Sequence, residues 1–456
     1  MSTDNGFETQ TSEVLETSEV WSSGFKETEI GPIPVEWEVA TIGELAQNKV
    51  LRLQSGFPCG NHNQEGKGIP HLRPFNVDDE GNVALDTIKY IETDRDVEGY
   101  LLAPGDVLFN NTNSEELVGK TAYWDRPGRY VFSNHMTLVR VLNDDVVDSF
   151  YLSKYLHKLW YDRFYRGICR RHVNQASISL TRLKGVPIPL PPLPEQRRIA
   201  HVLRTIQRAI AAQDKLIAAA RELKRSLMQH LFTYGPVPLD QAGQVPLKET
   251  EIGPLPEHWE VVRLGEIVDV KGGKRLPKGH KFADGPTDHP YIRVVDFKNN
   301  SVDKTNLRFI TPEDFERIKR YTISSEDVYI SIAGTTGLVG TIPEDLDGAN
   351  LTENAAKLII KDKKRLLKHF LVYALASERG QSEIKRRTTK TNQPKLALMR
   401  IKQIVIPFPS PAEQQRIAHM LSAVDRKIEA EEQRKAALQA LFKTMLHQLM
   451  TGQVRV

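Results

Sequence analysis

Apolar side chains recur at alternating four- and three-residue steps in two long stretches. The first runs through Ile199, Leu203, Ile206, Ile210, Ile217 and Ala220 to Leu227 and Leu231. The second runs through Ile417, Leu421, Val424, Ile428, Leu438, Phe442, Met445 and Leu449. This spacing keeps one seam of a helix apolar and predicts two coiled-coil helices, each about 38 residues and therefore about 57 Å long. Each stretch follows a proline-rich run that cannot be helical, and each starts with Pro and Glu in the first turn (Pro194 and Glu195, Pro411 and Glu413). There a missing amide costs nothing and a carboxylate faces the positive end of the helix dipole. The natural partner of one seam is the other. Paired antiparallel with ends aligned, they bring Gln213 and Glu431, polar members of the two seams, together at mid-helix, where a polar contact fixes register at some cost in stability.

Outside these helices the pattern shortens. β-rich pieces at 106–109 and 327–332 are punctuated by Gly, Pro and Asn, and helical pieces are expected at 149–163 and 366–379. The order recurs because the chain contains itself twice. Lys26-Glu-Thr-Glu-Ile-Gly-Pro-Ile-Pro-Val-Glu-Trp-Glu-Val39 returns as Lys248-Glu-Thr-Glu-Ile-Gly-Pro-Leu-Pro-Glu-His-Trp-Glu-Val261. Weaker echoes follow in order: Arg73 with Arg293, Val118-Gly119 with Val339-Gly340, Asn134 with Asn354, Asn174-Gln175 with Asn392-Gln393. Two long units make an internal duplication, not a solenoid of short repeats. The expected organisation is an arm at 1–24, an α+β globule at 25–190, a long helix at 191–235, a linker at 236–245, a second α+β globule at 246–408 and a long helix at 409–452.

Charge sharpens this division. The first 24 residues carry Asp4, Glu8, Glu13, Glu16 and Glu19 with no Lys or Arg, a composition that predicts disorder. Removing those five acids raises the balance from +4 to +9, so the body is moderately basic and suits a polyanion partner. No apolar run approaches a membrane span, and no basic-then-apolar leader is present, so a cytoplasmic protein without membrane association is expected. Cys59 and Cys169 are the only cysteines, and neither has the spacing of a disulfide framework or zinc site.

Catalytic patterns are missing. Val118-Gly-Lys-Thr121 resembles the end of a phosphate-binding loop, but Ser114 stands where that loop needs glycine, so a strand and turn are expected. None of the 13 histidines forms the paired helical arrangement of a metalloprotease, and no Asp-Pro-Pro-Tyr or Asn-Pro-Pro-Tyr tetrapeptide occurs. The globules offer hydrogen-bond donors instead. In the first these are Arg52, Gln54, Asn61, His62, Asn63, Arg73, Asn76, Asn110, Asn111, Asn113, Arg166, Arg170, Arg171 and His172. In the second the polar set is Lys271, Lys274, Arg275, Lys278, His280, Lys281, Arg293, Asp296, Lys298, Asn299, Lys385, Arg386, Arg387 and Lys390. Arg, Asn and Gln can bond a base edge with two hydrogen bonds, whereas Lys serves phosphates. Any one such cluster is more often a solvated face; recurrence in both globules favours a nucleic-acid surface. Loops that differ between the copies rank above the echoed Arg73 and Arg293, which sit in strand contexts that suit a structural role.

The Ile-Gly-Pro-x-Pro-x-x-Trp-Glu openings at 30–38 and 252–260, the Ile-Pro-x-Pro-x-x-x-Glu-Gln-x-x-Ile-Ala stretches at 188–200 and 406–418, and the alternation of globule and helix resemble the specificity subunit of type I restriction-modification systems. The likeness covers essentially everything after residue 24. It implies two target recognition domains, each reading half of a split double-stranded DNA site, joined by an antiparallel coiled coil in a pseudo-two-fold arrangement. It also implies two modification subunits that hold S-adenosylmethionine and methylate adenine, and restriction subunits that use ATP and Mg to translocate and cut, with no cofactor or catalysis in this chain. Two rivals remain open on sequence: the partner of a fused methyltransferase-nuclease, and a scaffold whose repeated globules bind protein.

Overall fold

A computed structural model describes residues 24–59, 61–389 and 394–456. The expected acidic arm, apart from Gly24, lies outside the described residues, as do Lys390, Asn392 and Gln393. The chain divides into two compact units, one holding residues up to Asp214 together with Gln433–Val456, the other holding Lys215–Glu432. Each is α+β, and each takes part of both long helices along with its globule.

The first unit contains β1 (Glu38–Thr41), β2 (Leu51–Ser55), β3 (Ile69–Leu72), β4 (Val107–Asn110), β5 (Thr112–Asn113), β6 (Thr121–Tyr123), β7 (Val131–Phe132), β8 (Met136–Val141), α1 (Ser149–Tyr161), β9 (Arg170–Arg171), β10 (Ala176–Ser177) and β11 (Pro187–Leu190), and then α2 (Leu193–Tyr234) begins. Its main sheet is antiparallel, in the order β2-β8-β4-β6. Strand β4 is apolar on both faces because both are covered. Val107 and Phe109 pack with α1 in one core, while Leu108 points into a second core around Trp124 and Phe132. Helix α1 starts where the Asp148 carboxylate accepts the Tyr151 amide.

The second unit repeats this with β12 (Glu260–Arg263), β13 (Val268–Gly272), β14 (Pro290–Ile292), β15 (Val328–Ser331), β16 (Val339–Gly340), β17 (Asn350–Leu351), β18 (Ala355–Ile360), α3 (Lys368–Ala376), α4 (Glu378–Arg387) and β19 (Val405–Phe408), after which α5 (Pro411–Met450) begins. The sheet order β13-β18-β15-β16 matches the first unit strand for strand. A parallel pair also recurs, β3 with β7 and β14 with β17.

The two motifs that flank each globule meet in space. The opening strand pairs antiparallel with the proline strand before the helix, β1 with β11 and β12 with β19. Prolines lack a ladder donor and fit such a two-stranded edge. The motif tryptophan then bonds the motif glutamate: Trp37 Nε1 donates to Glu195 at 3.1 Å, and Trp259 Nε1 donates to Glu413 at 3.0 Å. The following glutamines clamp the loop before α1 or α3. Gln196 accepts from the Asp148 amide and donates to the carbonyls of Val146 and Pro191; Gln414 accepts from the Leu367 amide and donates to those of Arg365 and Pro409. A glycine ends each long helix against the same tryptophans. A Cβ on Gly235 would lie 3.3 Å from the Trp259 ring, and one on Gly452 would collide with Pro34 beside Trp37, and both residues have positive φ.

Within the first unit the two long helices run in opposite directions. Arg455, just past the end of α5, reaches Glu195 at the start of α2, while Lys435 pairs with Asp214 at 2.6 Å. Ile199, Leu203 and Ile210 share a core with Phe442, Leu446 and Leu449. In the second unit Arg221 pairs with Glu432 and Lys224 with Asp425, and Leu231 shares a core with Ile417 and Leu421. The helices span 42 and 40 residues. Gln213 and Glu431 are both buried, one in each unit.

The first unit buries His157, His71 and Lys154 in surroundings that favour their neutral forms. His157 Nε2 faces the Asp79 carbonyl at 2.9 Å and must donate, which leaves Nδ1 to accept the Thr121 amide at 3.3 Å. Only the neutral ring does both. Burial pushes His157 down to about 3, and burial with His62 nearby pushes His71 down to about 4. Burial also pushes Lys154, which donates to the carbonyls of Glu80 and Gly81, down to about 7. Unfolded histidines bind protons below about pH 6.5, whereas the folded ones do not, so stability rises with pH across that window. Between pH 6.5 and 5 the loss is expected to reach at most about 2 kcal/mol per histidine. Denaturant unfolding followed by tryptophan fluorescence checks this. A first transition equally stable at pH 5 and 7 counts against it.

Candidate nucleic-acid interface

Four loops of the first globule converge at one end of its sheet. The turn after β3 begins beside the turn after β7, because the Ser133 amide donates to the Leu72 carbonyl. The amides of Asn111 and Thr112 donate to the His135 carbonyl, joining the β4–β5 turn to the same place. Strand β5 then pairs with β10 and β10 with β9, so Asn113, Arg170 and Arg171 share one small sheet. The β9–β10 hairpin holds exposed His172, Asn174 and Gln175 around Val173, which is 99% exposed. Exposed donors on a short hairpin are suited to entering a groove.

The second globule builds the same end. The Thr352 amide donates to the Ile292 carbonyl, and the amides of Ile332 and Ala333 donate to the Asn354 carbonyl. Lys274 joins through its amide to the Leu351 carbonyl, and exposed Arg275 donates to Glu353 at 2.7 Å. Lys271 lies just before them on β13, and exposed Lys278 follows in the same loop.

Several expected donors are used by the fold itself. Asn76 is fully buried: its Oδ1 accepts the Arg73 amide, and its Nδ2 donates to the Ala84 carbonyl at 3.0 Å. Asn110 is also fully buried, donating to the Pro74 carbonyl at 3.1 Å. Both side chains are spent inside the fold, a role that does not suit a base contact. Asn63 holds its own turn through Lys67 and Glu65, and Asn111 ties the β4–β5 turn to Asn134 and Thr137. Arg73 donates to the Thr87 carbonyl, and Arg293 forks onto Asp296 at 3.0 and 2.7 Å. Arg386 and Arg387 both pair with buried Glu383, whose carboxylate accepts the Val405 amide and so pins α4 to β19.

Other expected donors stay exposed but lie elsewhere. Arg52 and Gln54 are bonded to each other on β2, with Gln54 reaching the Gly99 carbonyl. Asn61, by contrast, is exposed in the loop after β2, which leaves the sheet beside the turn after β7 through the Phe57 amide on the Phe132 carbonyl. Lys298 and Asn299 stand at a tight turn, left-handed at Asn299, that rests on their own unit's helices, Asn299 donating to Glu432 at 3.4 Å. The converging ends also expose Asn134, His135, Thr335 and Lys395, none of which stood among the expected donors. The echo of Asn134 in Asn354 was the available signal. The Val118-Gly-Lys-Thr121 segment is a turn and strand: Lys120 is buried on the Asp79 carboxylate over the Trp160 ring, with no open cradle for a phosphate. Among the described residues no group of three or more His, Cys, Asp and Glu is placed to hold a metal ion. No helix among them is long and apolar enough to cross a membrane.

Two copies of one α+β fold, each carrying exposed polar loops at the same end, define a tandem recognition protein. Residues 34–221 and 256–440 both match the type I restriction modification DNA specificity domain, and the chain belongs to that family. It is 29% identical over 444 residues to the candidate MjaX specificity subunit of a type I restriction enzyme from Methanocaldococcus jannaschii, covering 95% of this chain and 97% of that one. It is 27% identical over 443 residues to the type I restriction enzyme MjaVIII specificity subunit of the same organism, covering 95% and 96%. In fold it is similar to the S subunit of a type I restriction-modification system from M. genitalium, with TM-score 0.55 and 17% identity over 91% of this chain and 96% of that one.

Proposed function

We propose that this chain is the non-catalytic specificity subunit of a type I restriction-modification complex and reads a bipartite, asymmetric site in double-stranded DNA. The observation that carries this is the recurrence of one fold whose exposed loops, at the same end in both copies, differ in sequence. Equal scaffolds with unequal loops suit two unequal half-sites separated by an unread spacer. Two modification subunits would hold S-adenosylmethionine and methylate adenine, and restriction subunits would supply the ATP- and Mg-dependent steps. Mapping methylated adenines in cells that carry this chain with its modification partner tests the reading. Modification at one bipartite motif is expected, and methylation without a split motif would overturn it.

The long helices are proposed to set the distance between half-sites. A helical turn is about 5.4 Å and a base-pair step about 3.4 Å. Inserting four residues after Ala218, with a matching turn in α5, is therefore expected to lengthen the spacer by one or two base pairs in the methylation map. An unchanged spacer rejects the ruler. The seam register is proposed to place Gln213 against Glu431. Cysteines at both positions are expected to cross-link in the folded chain, and failure to link rejects that register.

A further inference from the structure

Phe75 is 70% exposed and Val295 is 78% exposed, and they occupy the same slot in the duplicated chain. Each is the middle residue of a single 3-10 turn, Pro74–Asn76 and Val294–Asp296, set directly after β3 or β14. The turns are held by matching means. Asn76 Oδ1 accepts the Arg73 amide at 2.9 Å, and Asp296 Oδ2 accepts the Arg293 amide at 2.8 Å, with both acceptors buried. In the first turn the Arg73 guanidinium lies 6.0 Å from the centre of the Phe75 ring.

Single exposed apolar residues are ordinary on protein surfaces. This pair differs because its support is elaborate and its position is shared. A buried Asn or Asp, an arginine and a fixed turn hold an apolar side chain in water, where it contributes little to either core. Both turns stand at the converging end. The Pro74 carbonyl accepts from Asn110, and the preceding Leu72 and Ile292 carbonyls accept the amides of Ser133 and Thr352. The two residues differ, aromatic in one copy and β-branched in the other, but both are apolar.

We propose that Phe75 contacts a base edge in the half-site read by the first globule, and that Val295 does so in the half-site read by the second. The apolar group a groove presents is the thymine C5-methyl, and that is the expected contact. The inference rests on the DNA-reading function proposed above.

The test uses the full chain assembled with its modification subunits, and duplexes in which each thymine of the site is replaced singly by uracil, which removes only the methyl. The wild-type complex is expected to bind roughly fourfold more weakly at one thymine of each half-site, the worth of one methyl group. Phe75→Ala should erase that sensitivity in one half-site and leave the other unaffected; Val295→Ala should do the reverse. Both side chains are exposed, so the unfolding midpoint of each variant should match wild type. Retention of the uracil sensitivity in Phe75→Ala, or insensitivity of the wild type to every uracil, overturns the inference. Loss of modification-subunit binding with an unchanged uracil profile also overturns it, by making Phe75 a subunit contact. A wild-type complex that selects no site defeats the DNA-reading function itself.

Discussion

Replacing Glu195 with alanine is expected to destabilise the first unit by about 2–4 kcal/mol. This carboxylate is buried at the first turn of α2, where it accepts Trp37 Nε1 and two bonds from Arg455, at 2.5 and 2.9 Å. Truncation leaves the indole N–H buried without an acceptor. It also takes one of two carboxylates from Arg455, which keeps Glu36 at 2.7 Å and is 43% exposed on its side chain, so that part of the loss is small. The lower end of the range applies to Glu413→Ala in the second unit, where His258 and Ser410 replace the arginine. Those hydrogen bonds, led by Trp259, hold Glu413 down to about 2 against the opposing effect of burial. Its stabilisation is therefore full above the ordinary carboxylate range and lost as pH falls from about 4.5 toward 2. Urea unfolding of the full chain, followed by tryptophan fluorescence, measures both variants. Glu195→Gln keeps an acceptor and should recover part of the loss. A change below about 1 kcal/mol for Glu195→Ala would mean that the motif pair does not hold the unit together.

The same pair shows what sequence could and could not disclose. The two motifs were legible as recurrences, and with the seam spacing they pointed to the fold class: two α+β globules and two long helices. Why they travel together was not legible, because Trp37 and Glu195 lie 158 residues apart and meet only through the β1–β11 pairing. Polar residues in loops misled for a related reason. Asn76 and Asn110 have the donors of a base-reading side chain, but turns also need side chains to satisfy backbone groups, and composition does not separate the two uses. Spacing does so in part. Arg73 with Asn76 and Arg293 with Asp296 stand three apart, as a side chain accepting from the start of its own turn must. The echoed Arg73 and Arg293 hold turns, and the candidates that remain at the converging ends, Asn113, Arg170, Arg171, Lys271, Lys274, Arg275 and Lys278, lie where the copies diverge.

Removing both Arg170 and Arg171 should weaken DNA binding by the assembled complex about tenfold or more at physiological salt. It should also flatten the dependence of log affinity on log salt by about 0.9 for each phosphate that is no longer neutralised. Both side chains stand on the exposed β9–β10 hairpin beside Asn113, and no core depends on them. Arg171 is held by Glu115 at 2.9 Å with both groups partly exposed, a pair worth little in water. To reach a phosphate it must leave that carboxylate, so Glu115→Ala is expected to bind DNA more tightly than wild type, with a steeper salt response. Anisotropy titrations at several salt concentrations, on the cognate site and on an unrelated duplex, separate two uses of the hairpin. If the arginines hold phosphates, the double variant loses affinity for both duplexes alike. If one of them forks onto a guanine, the loss falls mainly on the cognate site and the motif relaxes at one position of one half-site. Unchanged affinity and an unchanged salt slope on both duplexes would show that the hairpin stays clear of DNA, and the reading surface would then have to lie on another face of the globule.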